Sequence, residues 1–499
     1  MNFQQTVMNY NNQLVQSHKD YQAQQGKLHL QFLQQREMAL KEMTAALLNK
    51  PPLAWDKNSS PQIENVVNRI KEMSTVNDLT ESKESFKSTE SSEPLHPFQP
   101  VGPSLSRSEL EVLTSGKISD IFGDLFKSQD KYAHQSRMPK PPLLFADRVL
   151  GMEGEPGSLG LGKIWFETDV SEDSWYLYDG CMPAGLMLES VVNASPLLMS
   201  WLGINTHNKG ERFVRFLGCK FMFHESLVKQ NTTITSELTV DAQARNGDMW
   251  VTLHHIDSYV AGQKRLTLRN AKVGFFTKAE LLEARGVNWD VENARINSNA
   301  RRDAPVAVCE HRSFNKEQVS LFAQGHTAEC FGNGYEKALT HTRSPRVQSG
   351  DMLMIDEVGC FDPQGGPWGG GYIKARKALQ PNEWFFLCHF YNDPVMPGML
   401  QLEGCLQAMA FYLAGLGFTL DKDGYRFEPI PEVMYEVEFR GQALPTAREV
   451  IYEVFVEEVH GGEEPKLYAD LLVTVDGLKV CCSRRMGLRL VKIEGEREE

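Results

Sequence analysis

The chain carries one pattern twice. Gly116, Phe122-Gly123, Asp147, Val149, Gly162, Ile164 and Trp175 recur 209 residues later as Gly325, Phe331-Gly332, Asp356, Val358, Gly371, Ile373 and Trp384. Past the tryptophan the spacing steps once, to 214, so that Asp179, Met182, Pro183 and Glu189 match Asp393, Met396, Pro397 and Glu403. A fixed offset with a single step marks a duplicated fold unit. The second copy holds five extra residues between tryptophan and aspartate, and His389 falls in or beside them. The first copy has no histidine in that stretch.

Each copy reads the same way. A helical segment (SRSELEVLTSGKISDIFG; NKEQVSLFAQGHTAECFG) precedes a strand, a Gly-rich turn and a second strand. A Met-Pro element then opens one long apolar helix, PAGLMLESVVNASPLLMSWLG or PGMLQLEGCLQAMAFYLAGLG, and alternating strands close the unit. A helix apolar nearly all round must be buried, and the antiparallel sheet of the same unit is what can cover it. An α+β architecture follows: a double hot-dog, two sheets each wrapped around a central helix. The expected boundaries are 106–279 for the first hot-dog unit, 280–314 for a connection and 315–499 for the second unit.

Upstream, residues 1–50 are Gln-rich with a modest apolar stripe at near-helical spacing. That segment reads as an inter-domain linker helix or as a docking or oligomerising helix, the first being favoured. Residues 51–105 begin with Pro51-Pro52 and run into Ser, Glu and Lys, with too little apolar content to fold, so a disordered linker is expected.

Bulk properties narrow the function. The 499 residues suffice for several domains, and a net charge of −13 argues against general nucleic-acid binding and against affinity for anionic membranes. No apolar run reaches the roughly 18 residues of a membrane span, and no signal peptide opens the chain. Nine cysteines without a CxxC pair suggest reduced thiols and a cytoplasmic setting.

His389 stands shortly before Pro397-Gly398, where the buried helix begins. A neutral imidazole aimed at a helix start can act as a base beside an oxyanion site, because first-turn N–H groups lack intrahelical partners.

The second copy resembles the bacterial β-hydroxydecanoyl-acyl carrier protein dehydratase/isomerase family through MLMIDEV, EWFFLCHFYNDPVMPGMLQLEG and VEFRGQALPTAREVIYEV. The tandem arrangement after a Gln-rich, acidic linker resembles the dehydratase region of polyunsaturated fatty acid synthases. The resemblance implies dehydration of a (3R)-3-hydroxyacyl-acyl carrier protein to the trans-2-enoyl product, with isomerisation to a cis-3 alkene as a further step. It implies a phosphopantetheine-bearing carrier and other synthase domains as partners, and no metal or redox cofactor. In that family the histidine of one subunit faces an acid on the central helix of the other. Glu189 and Glu403 occupy the acid's place. The dehydratase/isomerase has aspartate there and the related plain dehydratase glutamate, which supports dehydration and leaves isomerisation open.

Elimination of water asks for the same groups: His389 as base, the Gly398 backbone N–H for the enolate-like oxygen, and a desolvated carboxyl as acid. If the copies pair across a pseudo-dyad, Glu189 faces His389, with Glu403 the fallback acid. Glu403 would then face Trp175 and the shortened loop, giving one active site per chain. Further association into a homodimer is left open.

Other polar residues have plainer readings. Asp179 and Asp393 recur in both copies and suggest a turn or helix cap. Gln407 either orients a polar group or sits on a helix face. His224, His254 and His255 read as structural, and His311, His326 and His341 are too irregularly spaced with Cys309 and Cys330 for zinc. A non-catalytic hot-dog scaffold is the competing function. A thioesterase is disfavoured, since it needs a carboxylate poised over water.

Overall fold

Alternating apolar positions produce the strands, and the strands repeat the duplication in space. In the computed structural model, which describes residues 98–246, 249–291 and 299–493, the first copy supplies β1 (Arg148–Glu153), β2 (Lys163–Val170), β3 (Phe213–Phe223), β4 (Thr232–Asn246), β5 (Met249–Val260) and β6 (Gln263–Phe276). The second supplies β7 (Glu357–Asp362), β8 (Tyr372–Ala378), β9 (Tyr425–Pro429), β10 (Tyr435–Phe439), β11 (Glu449–His460), β12 (Lys466–Val475) and β13 (Leu478–Lys492). They run β1-β2-β4-β5-β6-β3 in one half and β10-β13-β12-β11-β8-β7 in the other, so the second half is the first read backwards. The halves meet where β3 pairs antiparallel with β10, Phe221 opposite Tyr435 and Cys219 opposite Val437. The result is a double hot-dog with a single 13-stranded sheet. Among the described residues β9, which pairs with β13, has no counterpart in the first copy and was not expected from the sequence.

Repeated residues do repeated work. The Asp147 carboxylate accepts the Asp169 N–H at 2.7 Å, and Asp356 accepts the Ala378 N–H at 2.8 Å, each tying the residue before an edge strand to its neighbour. The glycines between β7 and β8 form a hairpin turn.

The central helices are where the copies part. In the second copy one helix runs unbroken from Gly398 to Gly415, with every residue from Met399 onward buried. Burying side chains such as Leu400, Phe411 and Leu413 stabilises by roughly 1.5–3 kcal/mol each, which outweighs the roughly 1 kcal/mol that Gly404 costs in a helix interior. In the first copy the expected single helix is divided, Ala184–Val192 and then Ala194–Trp201, meeting at Asn193. Pro196 is the reason: it has no N–H to return to the carbonyl of Val192.

The Gln-rich 1–50 segment and most of 51–105 lie outside the described residues. Packed chain nevertheless starts ahead of Ser106: Leu105 exchanges backbone hydrogen bonds with Val149, and Phe98 sets its ring 5.2 Å from that of Tyr259. Part of the connection after β6 lies on the sheet's outer face, where Val287 and Trp289 pack on Phe455 and Leu472. Among the described residues no helix is long and apolar enough to cross a membrane.

Candidate active site

His389 closes a one-turn helix, Trp384–Cys388, and its N–H still bonds the Phe385 carbonyl. The His389–Phe390 peptide is cis. The loop then folds back, and Val395 N–H donates to the His389 carbonyl at 2.8 Å. In return His389 Nδ1 lies 2.8 Å from the Val395 carbonyl. A carbonyl can only accept, so Nδ1 carries the proton and Nε2 keeps its lone pair.

That lone pair points across the copies. Nε2 lies 3.6 Å from Oε1 of Glu189, on the kinked helix of the first unit. Both side chains are buried, and burial acts on them in opposite directions. Desolvation lowers the imidazole to about 3, with Arg215 adding to the effect. It raises the Glu189 carboxyl to about 8, against a hydrogen bond from Asn193. At neutral pH the pair is therefore an uncharged base beside a protonated acid. The adjacent Cys388 thiol is pushed up to about 12 by burial and is no competing nucleophile.

The pair opens into a cleft of about 700 Å³, counting its mouth. Its walls are largely apolar, among them Val192, Val214, Phe216, Val273, Met399 and Phe439. Gly398 opens the long helix into this cleft. A Cβ there would come within 2.9 Å of the Phe439 ring, so the glycine lets ring and helix start meet. Gln401 lies one turn further along the same wall.

The recurring aspartates are not caps. Pro183 and Pro397 occupy the N-cap positions, and neither helix start takes a side-chain cap. Asp393 instead grips Arg215 of β3 through two bonds, 2.6 and 2.8 Å, and Gln442 accepts from the same guanidinium. Asp179 pairs with Arg343 and Arg346 at 2.9 and 2.7 Å. Each aspartate thus reaches an arginine of the other copy and fastens the loop behind which the site lies.

Comparison with known proteins bears on the same two stretches. A model of the FabA-like domain matches residues 138–266 and 347–484, one segment in each copy. The chain belongs to the FabA-like family. It is also 28% identical over 371 residues to a polyunsaturated fatty acid synthase polypeptide of Thraustochytrium sp., covering 72% of this chain and 24% of the relative. The chain thus spans about a quarter of that relative's length. Among solved structures it is similar to the dehydratase domain from the CurJ module of curacin polyketide synthase (10% identity, 70% of this chain and 96% of that one, TM-score 0.35). It is likewise similar to the dehydratase domain of RzxB from Pseudomonas fluorescens (12%, 72% and 99%, TM-score 0.34).

This FabA-like chain has a second cavity across the pseudo-dyad, about 300 Å³, with Glu403 on its wall. Trp175 is not beside it, contrary to the sequence expectation. Its ring is half-exposed and meets Trp384 edge-on at 4.9 Å, because the indole caps the outside of the loop rather than turning in. The residue standing in the histidine's place is Tyr178. Cys181 N–H donates to its carbonyl at 3.0 Å, as Val395 does to that of His389. Tyr178 was missed because the five-residue difference falls on both sides of it, so alignment on tryptophan or on aspartate pairs neither residue. Its hydroxyl donates to the Arg346 carbonyl and accepts from Phe427 N–H. Glu403, raised to about 7 by burial, accepts the Gly185 N–H at 2.7 Å. A Cβ on Gly185 would meet Glu403 and the Met399 carbonyl at 2.8 Å, so glycine is what lets the two helix starts touch. The structure brings Glu189, and not Glu403, to His389.

The remaining candidates are accounted for locally. Gln407 accepts from Met354 N–H and donates to Gln348 and to the Met352 carbonyl, which ties the segment before β7 to the helix. His224 lies between Glu432 and Thr267, His255 on Asp241, and buried His254 on Thr252 and Ser195. Among the described residues no three or more His, Cys, Asp or Glu side chains form a group that could hold a metal.

Proposed function

We propose that the chain dehydrates (3R)-3-hydroxyacyl chains, held as thioesters on the phosphopantetheine of an acyl carrier protein, to trans-2-enoyl thioesters. The observation that carries this reading is the 3.6 Å approach of a lone-pair imidazole nitrogen and a protonated carboxyl, from different copies, in an apolar cleft at a helix start. His389 Nε2 takes the C2 proton. The electrons of that C–H bond form the C2–C3 double bond through an enolate-like state, whose oxygen is stabilised by the Gly398 N–H at the positive end of the helix. The C3–O bond breaks as Glu189 gives its proton to the departing hydroxyl, and water leaves. The proton on His389 then returns across the short gap to Glu189, restoring both groups.

The pairing of β3 with β10 supports a site complete within one chain. Nine cysteines without a disulfide favour a reducing, cytosolic setting. The curated relative's name favours work alongside other domains of a polyunsaturated fatty acid synthase. Isomerisation would need the same base to take a C4 proton and return it at C2, and the product's double-bond position tests it.

The decisive assay gives the protein (3R)-3-hydroxyacyl substrates of several lengths on a carrier protein or pantetheine and follows loss of water by mass spectrometry. Wild type should release water and give a 2-enoyl product. Inertness on every length would overturn the reading and leave the scaffold alternative standing.

A further inference from the structure

In the Tyr178 cavity the polar side chains on the wall have protein partners: Tyr178, Gln348, Glu403, Gln407 and Glu428 all make hydrogen bonds within the fold. The cleft beside His389 differs at one side chain. Gln401 is 2% exposed and lines that cleft, and its Oε1 has no hydrogen-bond partner among the described residues. Leaving a buried amide oxygen without a partner is costly, and one on the wall of a cleft is open to a group that enters it.

Its position says which group. Gln401 follows Gly398 by three residues on one helix face, and helical side chains lean back toward the N-terminus. The amide therefore leans toward the helix start, where the Gly398 N–H waits, while Glu189 and its hydroxyl-protonating end stand on the opposing helix. Because no protein group pins the oxygen, the amide can rotate to present its N–H₂ instead. The repeat makes the residue more telling: the first copy has Met187 at this place, with no donor to offer.

We infer that Gln401 is a substrate-contacting residue whose side-chain amide donates to the thioester carbonyl oxygen, alongside the Gly398 N–H, as negative charge develops there. The inference rests on the dehydratase reading above. It gives the oxyanion two donors, one from the backbone and one from a side chain. Specificity follows too, since a chain lacking an oxygen at that point would leave the amide buried and unpartnered.

The test is steady-state dehydration of a (3R)-3-hydroxyacyl pantetheine thioester by wild type, Gln401→Met and Gln401→Glu, with folding checked by thermal melting. Gln401→Met should lower kcat about 10²-fold with KM within about 3-fold, the pattern of a donor used in the transition state. Gln401→Glu keeps the length. Its buried carboxyl can donate only while protonated, so its rate relative to wild type should rise as pH falls. A kcat for Gln401→Met within 2-fold of wild type would overturn the assignment while leaving the dehydratase reading intact. Should Gln401→Met not fold, a pH-independent ratio for Gln401→Glu would overturn it equally. An inert wild type would sink both readings together.

Discussion

Two cavities face each other across the seam of β3 and β10, each between the paired central helices, and they have taken opposite courses. In one, His389 Nε2, the Glu189 carboxyl and Gln401 point into a cleft with an open mouth. In the other, Tyr178 hydrogen-bonds to the backbone and Glu403 accepts the Gly185 N–H in the first turn of the kinked helix. Both glutamates are raised by burial, so a perturbed carboxyl does not by itself identify the working site. Glu403 is tied to a backbone N–H, and Glu189 to the Asn193 side chain and His389, so both carboxyls have partners. What separates the cavities is the residue in the histidine's place and Gln401, whose Oε1 has no partner among the described residues.

The sharpest way to break this comparison is to remove the residue in each histidine place. His389→Ala should cost about 10²–10⁴-fold in kcat, the range for a general base, whereas Tyr178→Phe should stay within about 2-fold. A comparable loss in both would mean that the second cavity also turns over.

The two carboxyls come next. Glu189→Gln should lower kcat about 10²-fold, and Glu403→Gln, whose amide oxygen still accepts the Gly185 N–H, should lower it less than about 5-fold. The wild-type rate should fall as pH rises through about 8, where Glu189 loses its proton, and hold on the acid side, where His389 stays neutral down to about 3. Stability carries the same signature with the sign worked through. Both glutamates keep their protons in the fold at pH values where the unfolded chain has released them. They therefore weaken the fold increasingly as pH rises above about 4.5, the unfolded value. Each Gln variant should melt higher than wild type at pH 8 and level with it near pH 4. Melting curves at the two pH values that show no such convergence would contradict the assignment of both carboxyls as buried and neutral.

The aspartates give the smallest contrast. Asp393→Ala removes two charge-assisted bonds from Arg215, whose side chain is 11% exposed and keeps Gln442 and the Val214 carbonyl, and should cost about 2–3 kcal/mol in urea unfolding. Asp179→Ala leaves Arg343 and Arg346, whose side chains are 39% and 34% exposed and can take up water, so about 1–2 kcal/mol is expected. Equal losses would mean that the two loops are fastened alike.

Much of this molecule was legible in its residues. The 209-residue offset reported a duplication, alternation placed most of the strands, and the apolar run from Met399 marked a helix that had to be buried. Those features are local or repetitive, and period and spacing report them directly. His389 and Gly398 could be singled out for the same reason, because they sit close together in one motif. Other features were hidden. β9 is short, and nothing in its five residues says that β13 will accept it. Asp179 and Asp393 read as turn or cap residues, and turns do hold them, but their ion pairs were hidden because the arginines lie more than a hundred residues away. Tyr178 is visible only through the hydrogen bond from Cys181, and Gln401 only through the partner it lacks. The sequence by itself determined two copies of a sheet-wrapped helix and one histidine near a helix start. The tertiary structure decided which glutamate met that histidine and which polar groups were left without partners, because burial and hydrogen bonding depend on neighbours that chain order does not name.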